Sequence, residues 1–174
     1  MNIRGGMKVF HPPKAVDKAS FVESLRKRIM KNFMIASWYK SECNVDVHGV
    51  RIDLLIRGNT HFSGWLFSRL YERLLNPNWE VATIVICGKP GIQVNASQIL
   101  LAIDAAMKYM KENEIKWTWL AIVSDDGFAE DAIHYTKKQF VIRNLGLVLV
   151  DLKSRLVHRA NNFLSMNLMR YIKF

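Results

Sequence analysis

A chain of 174 residues that is 50% hydrophobic with a formal net charge of +10 has apolar content enough for one full core, which excludes an intrinsically disordered protein. No apolar stretch reaches the about eighteen residues of a membrane helix, and Met1-Asn2-Ile3-Arg4-Gly5-Gly6 lacks an apolar signal core. The expectation is therefore a single cytoplasmic domain over 1–174 with no membrane partner; Cys43 and Cys87 lack metal spacing and read as reduced thiols.

The charge is unevenly placed. Residues 1–40 carry nine basic against two acidic side chains and 143–174 six against one, whereas 41–80 carry four against five and 81–142 six against seven. Basic ends around a near-neutral middle are the footprint of a protein that meets a polyanion, nucleic acid being the commonest. Solubility accounts for the same charge, so composition leaves both open.

In chain order, His11-Pro12-Pro13 precludes a helix over 1–13. A helix is predicted next, with Ser20 and Glu23 at capping-box spacing and Val22, Leu25, Ile29 and Phe33 as its apolar stripe. Its outer surface is basic: Arg26, Lys27 and Lys31, with Arg28, are suited to lie along phosphates. From Met34 to Ile56 the pattern is strand-like, with Trp38, Tyr39, Val45 and Val47 before His48-Gly49 and the apolar segment around Asp53 after it. A hairpin turning at Gly49 fits both runs. Asp53 is a lone carboxylate among apolar neighbours and needs a partner, for which Arg51, Arg57 and Lys89 are the candidates.

Phe62, Trp65, Leu66, Leu70 and Leu74 share a helical face, so a helical insertion is predicted over about 60–76, ended by Asn76-Pro77-Asn78. Val81-Ala82-Thr83-Ile84-Val85-Ile86-Cys87-Gly88-Lys89 is too short for a globular helix and reads as a central strand buried on both faces. Its period of two puts Cys87 and Lys89 on one face at the strand's end. Ser97 then caps a helix that turns Ile99, Ile103, Ala106, Met107 and Met110 inward, and Trp117 to Val123 forms the next strand with its tryptophans in the core.

Ser124-Asp125-Asp126-Gly127 forms a loop where parallel sheets bind ligands, although the same residues serve as helix caps. A helix follows from Phe128 to about Phe140, then a strand over Gly146 to Asp151. From Ser154 onward a helix is predicted, with Leu164, Leu168 and Ile172 for packing; Arg155 and Arg159, with Arg170 and Lys173, face water or a ligand. This alternation predicts an α/β protein with a mixed central sheet flanked by helices.

Three stretches carry a resemblance. His48 to Ile56 with its internal Asp53, Val85-Ile86-Cys87-Gly88-Lys89 followed by a helix bearing Gln98, and Phe128-Ala129-Glu130-Asp131-Ala132 with the later Gly146 to Asp151 strand together resemble the restriction-endonuclease-like, or PD-(D/E)XK, nuclease superfamily, including archaeal Holliday-junction resolvases and methyl-directed restriction enzymes. The resemblance covers a core of about 20–152, leaving a basic C-terminal extension.

It implies that Asp53 is the first metal-binding acid, that Lys89 is the catalytic lysine, and that magnesium is the ion. The second acid position holds Cys87, so the implied magnesium site is weak, with Glu23 or Asp104 as the supplementary ligand; Glu80 lies at the far end of the strand. The expected function is a nucleic-acid-binding protein on a nuclease-like scaffold, with DNA as partner through Arg26, Lys27, Lys31, Arg155 and Arg159, a degenerate metal site and no organic cofactor. An active magnesium-dependent DNA endonuclease and a protein-interaction or assembly module are the alternatives, and monomer and homodimer both stay open.

Overall fold

The computed structural model describes residues 16–33, 39–59 and 80–174; the insertion expected at 60–76 and the strand-like residues 34–38 lie outside them. The first helix, α1, spans Lys18–Phe33. Asp17, not Ser20, opens it: Asp17 Oδ2 accepts the Ser20 N–H at 3.0 Å and the Ser20 hydroxyl at 3.1 Å, so Glu23 takes no part in a capping box. The buried stripe is Phe21, Leu25 and Ile29, with Phe21 in the place expected of Val22.

Strands β1 (Tyr39–Val47) and β2 (Val50–Asn59) form the expected hairpin. His48 and Gly49 make the whole connection, with φ of 51° and 79°, and two successive positive φ values are what a two-residue turn needs to match the twist of its strands. Strand β3 (Glu80–Cys87) pairs antiparallel with β2 in a register that begins at Asn59 opposite Glu80 and ends at Leu54 opposite Val85.

Helix α2 (Ala96–Glu112) crosses to β4 (Trp117–Ser124), which is parallel to β3. Its cap is Asn95 rather than Ser97: Asn95 and Gln98 hold each other's backbone N–H groups in a capping box. Helix α3 (Glu130–His134) runs on as a π-helical turn over Tyr135–Gln139 and leads to β5 (Leu145–Asp151), parallel to β4.

The helix expected from Ser154 is instead a strand, β6 (Leu156–Arg159), antiparallel to β5, and a shorter helix, α4 (Phe163–Met169). Asp151 causes the reversal. Its Oδ1 accepts the N–H groups of Lys153 at 2.9 Å and Ser154 at 3.0 Å, and Arg155 closes the turn at φ 56°.

Among the described residues the strands thus form one six-stranded mixed sheet in the order β1-β2-β3-β4-β5-β6. Both parallel crossovers step in the same direction, and their common handedness puts α2 and α3 on one face, where Ile99, Ile103 and Ala106 meet Ile84, Leu120 and Leu147. The other face is covered by Phe21, Leu25 and Ile29 of α1 and Leu168 of α4, packed on Leu54, Val85, Ala121 and Val148. Strands β3 to β5 are buried on both sides, which accounts for their continuous apolar runs.

Helix α4 sits directly on β5. A Cβ on Gly146 would lie 2.7 Å from the Leu164 carbonyl carbon and 2.8 Å from Ser165 N, closer than real side chains approach. Buried Ser165 completes the joint by accepting the Leu147 N–H on its Oγ at 2.9 Å.

Candidate functional site

The chemistry-bearing residues meet at the carboxyl ends of the parallel strands, the rim where open α/β sheets commonly bind ligands. The local path of β2 delivers Asp53 there. Ile52 packs on the α2 side and Leu54 on the α1 side, although residues two apart in a regular strand share a face. The alternation therefore breaks at Asp53, beside Asn44 of β1, whose φ is 55°.

The β2–β3 ladder has ended by this point. Asp53 Oδ2 accepts the Cys87 backbone N–H at 2.7 Å, so a side chain takes the N–H that the ladder leaves over. The Cys87 thiol is pushed up to about 12 by burial first and by the Asp53 charge second, with Lys18 opposing. It is a neutral thiol at pH 7 and a poor metal ligand or nucleophile.

The cation beside this pair comes from α1. Lys18 Nζ makes an ion pair with Asp125 Oδ2 at 2.9 Å and donates to the Gly88 carbonyl at 3.0 Å. Burial acts to lower its pKa, but Asp125, with Cys87 and Asp53 behind it, raises it overall. Gly88 is itself fixed by donating its N–H to Val123 O at 2.8 Å.

The candidates from the sequence are distributed as follows. Asp53 and Cys87 are together; Lys89 lies past the end of β3 and is exposed. Arg51 bonds Asn44 at 2.8 Å and Arg57 pairs with Glu80 at 2.6 Å, so neither candidate arginine serves Asp53. Glu23 is held by Arg26 at 3.3 Å and Lys27 at 3.7 Å, and Asp104 by Lys108 at 2.8 Å. In the loop after β4, Asp126 Oδ2 accepts the Gly91 N–H at 2.6 Å and Asp125 is the Lys18 partner, so neither caps α3.

Lys18 is the residue that sequence reasoning missed. A signal was present: a lysine in the first turn of a helix stands against the helix dipole, which favours acids there, and such a placement calls for a specific partner.

The magnesium implied by the resemblance requires several oxygen ligands. Asp53 already accepts a backbone N–H, Cys87 offers a neutral sulfur, and the Glu23, Asp104 and Asp125 carboxylates are each paired with a basic side chain. Among the described residues no group of three His, Cys, Asp or Glu is placed to hold a metal. These donors do not fit the ion.

A second feature is the contact between α1 and the C-terminal segment. Arg28 Nη1 on α1 donates to Tyr171 O at 3.1 Å and Lys173 O at 2.9 Å, fastening the C-terminal segment along the helix. Ring contacts between Phe21 and Phe174 at 5.9 Å and between Trp119 and Tyr171 at 5.4 Å hold the same segment to the core. Lys31 lies one turn beyond Arg28 and is exposed, as are Lys27, Arg170 and Lys173. Arg26 is turned inward to Ser41 Oγ at 3.0 Å. Arg155 and Arg159 belong to the β5–β6 turn and to β6, and Arg159 also donates to Ala160 O at 3.2 Å.

Comparison with protein families, with curated proteins and with solved structures gives no match to this chain. Among the described residues no helix is long and apolar enough to cross a membrane.

Proposed function

We propose that the protein binds nucleic acid, with DNA as the first choice, on a restriction-endonuclease-like scaffold whose metal site is degenerate. The observation that carries this reading is the Arg28 clasp, because it sets the basic surface of α1 beside the C-terminal segment that carries Arg170 and Lys173. Such a surface attracts phosphates and releases their counterions. The scaffold assignment is supported by element order: a helix, a hairpin with an internal acid, a strand that ends beside that acid, and parallel crossovers.

Fluorescence anisotropy of a labelled duplex, titrated at several salt concentrations, tests the proposal. Binding should weaken steeply with salt, with log K falling by about 0.9 per log unit of salt for each phosphate neutralised. Absence of binding at low salt would favour a protein-interaction module instead. Magnesium-dependent cleavage abolished by Asp53→Ala would instead establish the active endonuclease.

A further inference from the structure

The mismatch between this rim and magnesium has a structural form. Asp125 and the Gly88 carbonyl meet at the rim where the resemblance implies a divalent cation, Asp53 stands next to them on the Cys87 N–H, and the cation present is an ammonium on a helical tether. We propose that Lys18 occupies the cation position of this site and excludes divalent ions from it. The inference rests on the nuclease-like reading only in treating the rim as a former metal site. Its test measures ions rather than nucleic acid, so the two can fail separately.

The geometry gives Lys18 more than a chance surface pair. An ammonium has three N–H donors, and two are accounted for by Asp125 Oδ2 at 2.9 Å and Gly88 O at 3.0 Å. Asp53 lies close enough for its charge to favour the protonated lysine, while its Oδ2 is anchored at Cys87 N. The lysine is 21% exposed at its side chain, and α1 is fixed on the sheet by buried Phe21 and Leu25 directly after it. Its tether therefore loses little freedom when the ammonium reaches the rim.

Charge decides what happens without it. One lysine against two carboxylates already leaves the group net negative. Among the described residues, removing Lys18 leaves Asp53, Asp125 and a carbonyl without a paired cation, and these hard oxygen donors are the kind that manganese and magnesium select. The other carboxylates of the rim do not compete, since Asp126 holds Gly91 N at 2.6 Å and Asp151 holds the turn after β5. Cys87, a neutral thiol at pH 7, adds no negative charge there.

Manganese and magnesium binding to the full chain, read by calorimetry and by thermal melting, tests the proposal. Wild-type protein should show no saturable manganese binding that depends on Asp53. Lys18→Ala should bind manganese at least tenfold more tightly than wild type and melt at a higher temperature when manganese is added; Lys18→Ala combined with Asp53→Asn should lose both gains. Lys18→Gln keeps a donor for Gly88 O without the charge, and the same Asp53-dependent gain is required of it if the alanine variant does not fold. Folding of Lys18→Ala only when manganese is present would also support the proposal. Manganese binding by wild type as tight as by the variants, no gain on removing Lys18, or a gain that survives Asp53→Asn would each overturn it.

Discussion

Asp53 gives its carboxylate to the backbone N–H of Cys87 at 2.7 Å, one step beyond the last rung between β2 and β3. The carboxylate therefore has a structural task before any chemical one. Asp53→Ala should leave that N–H without an acceptor and destabilise the fold by about 1–3 kcal/mol, the usual loss for an orphaned buried donor. Asp53→Asn retains an oxygen and should lose less. Urea unfolding midpoints compare the two directly, and equal losses would mean that the charge, not the acceptor, is what the fold uses.

The two thiols should differ in reactivity and in what they do at high pH. Exposed Cys43 should react with a thiol reagent at pH 8 in the native state, and Cys87 only on unfolding. Since the folded value of about 12 lies above the ordinary 9.0, the Cys87 contribution is complete below pH 9 and is lost as pH rises through the interval between the two values. Unfolding free energy should fall there by at most about 1.4 kcal/mol per pH unit, the limit for one proton. Cys87→Ala should lack that part of the slope; Lys18, whose pKa is also raised, still contributes at the alkaline end.

The clasp between α1 and the C-terminal segment predicts a paired effect. Arg28→Ala frees the carbonyls of Tyr171 and Lys173 and should lower stability by about 1–3 kcal/mol, with accompanying loss of duplex affinity because the segment no longer lies beside the helix. Lys27→Glu and Lys31→Glu touch no such joint. Each should leave the melting temperature nearly unchanged and flatten the salt dependence of binding, by about one contact's worth for the residue that meets a phosphate. Stable variants with unchanged affinity would remove α1 from the interface.

The seat of α4 on β5 leaves no room for a methyl group. Gly146→Ala would press on the backbone of Leu164 and Ser165, so a loss of at least about 1–3 kcal/mol is expected from overpacking. Ser165→Ala, which removes the acceptor of Leu147 N–H, should cost about the same by a different route. Thermal melts of both variants check the point.

Much of the frame was legible because it follows from local rules. The apolar run at Val81 to Cys87 could only be a strand covered on both faces, and His48-Gly49 between two strand-like runs could turn as a hairpin. The caps were harder to place, since Ser20 and Ser97 have the right chemistry but stand inside helices opened by Asp17 and Asn95. The C-terminal reversal depended on one Asp151 carboxylate gathering two N–H groups, a preference that competes with a helical pattern and here prevails. At the site, the meeting of Asp53 and Cys87 was readable from strand order. For Lys18 the only signal was its place in a first helical turn; its partners, 70 residues away at Gly88 and farther on at Asp125, were not readable, since only the packing of α1 across the sheet brings them together.

The register between β2 and β3 also has a practical meaning. Asn59 and Glu80 stand directly opposite each other at the end of the β2–β3 ladder. Whatever residues 60–79 contribute, the sheet's connectivity does not require their length. Because these two positions already face each other, a two-residue connection can join them, at a lower closure entropy than a longer one. A chain in which Asn-Gly replaces 60–79 should keep the same β-sheet signature by circular dichroism and the same Cys87 protection. Any activity lost on that exchange would be assignable to residues 60–79 themselves.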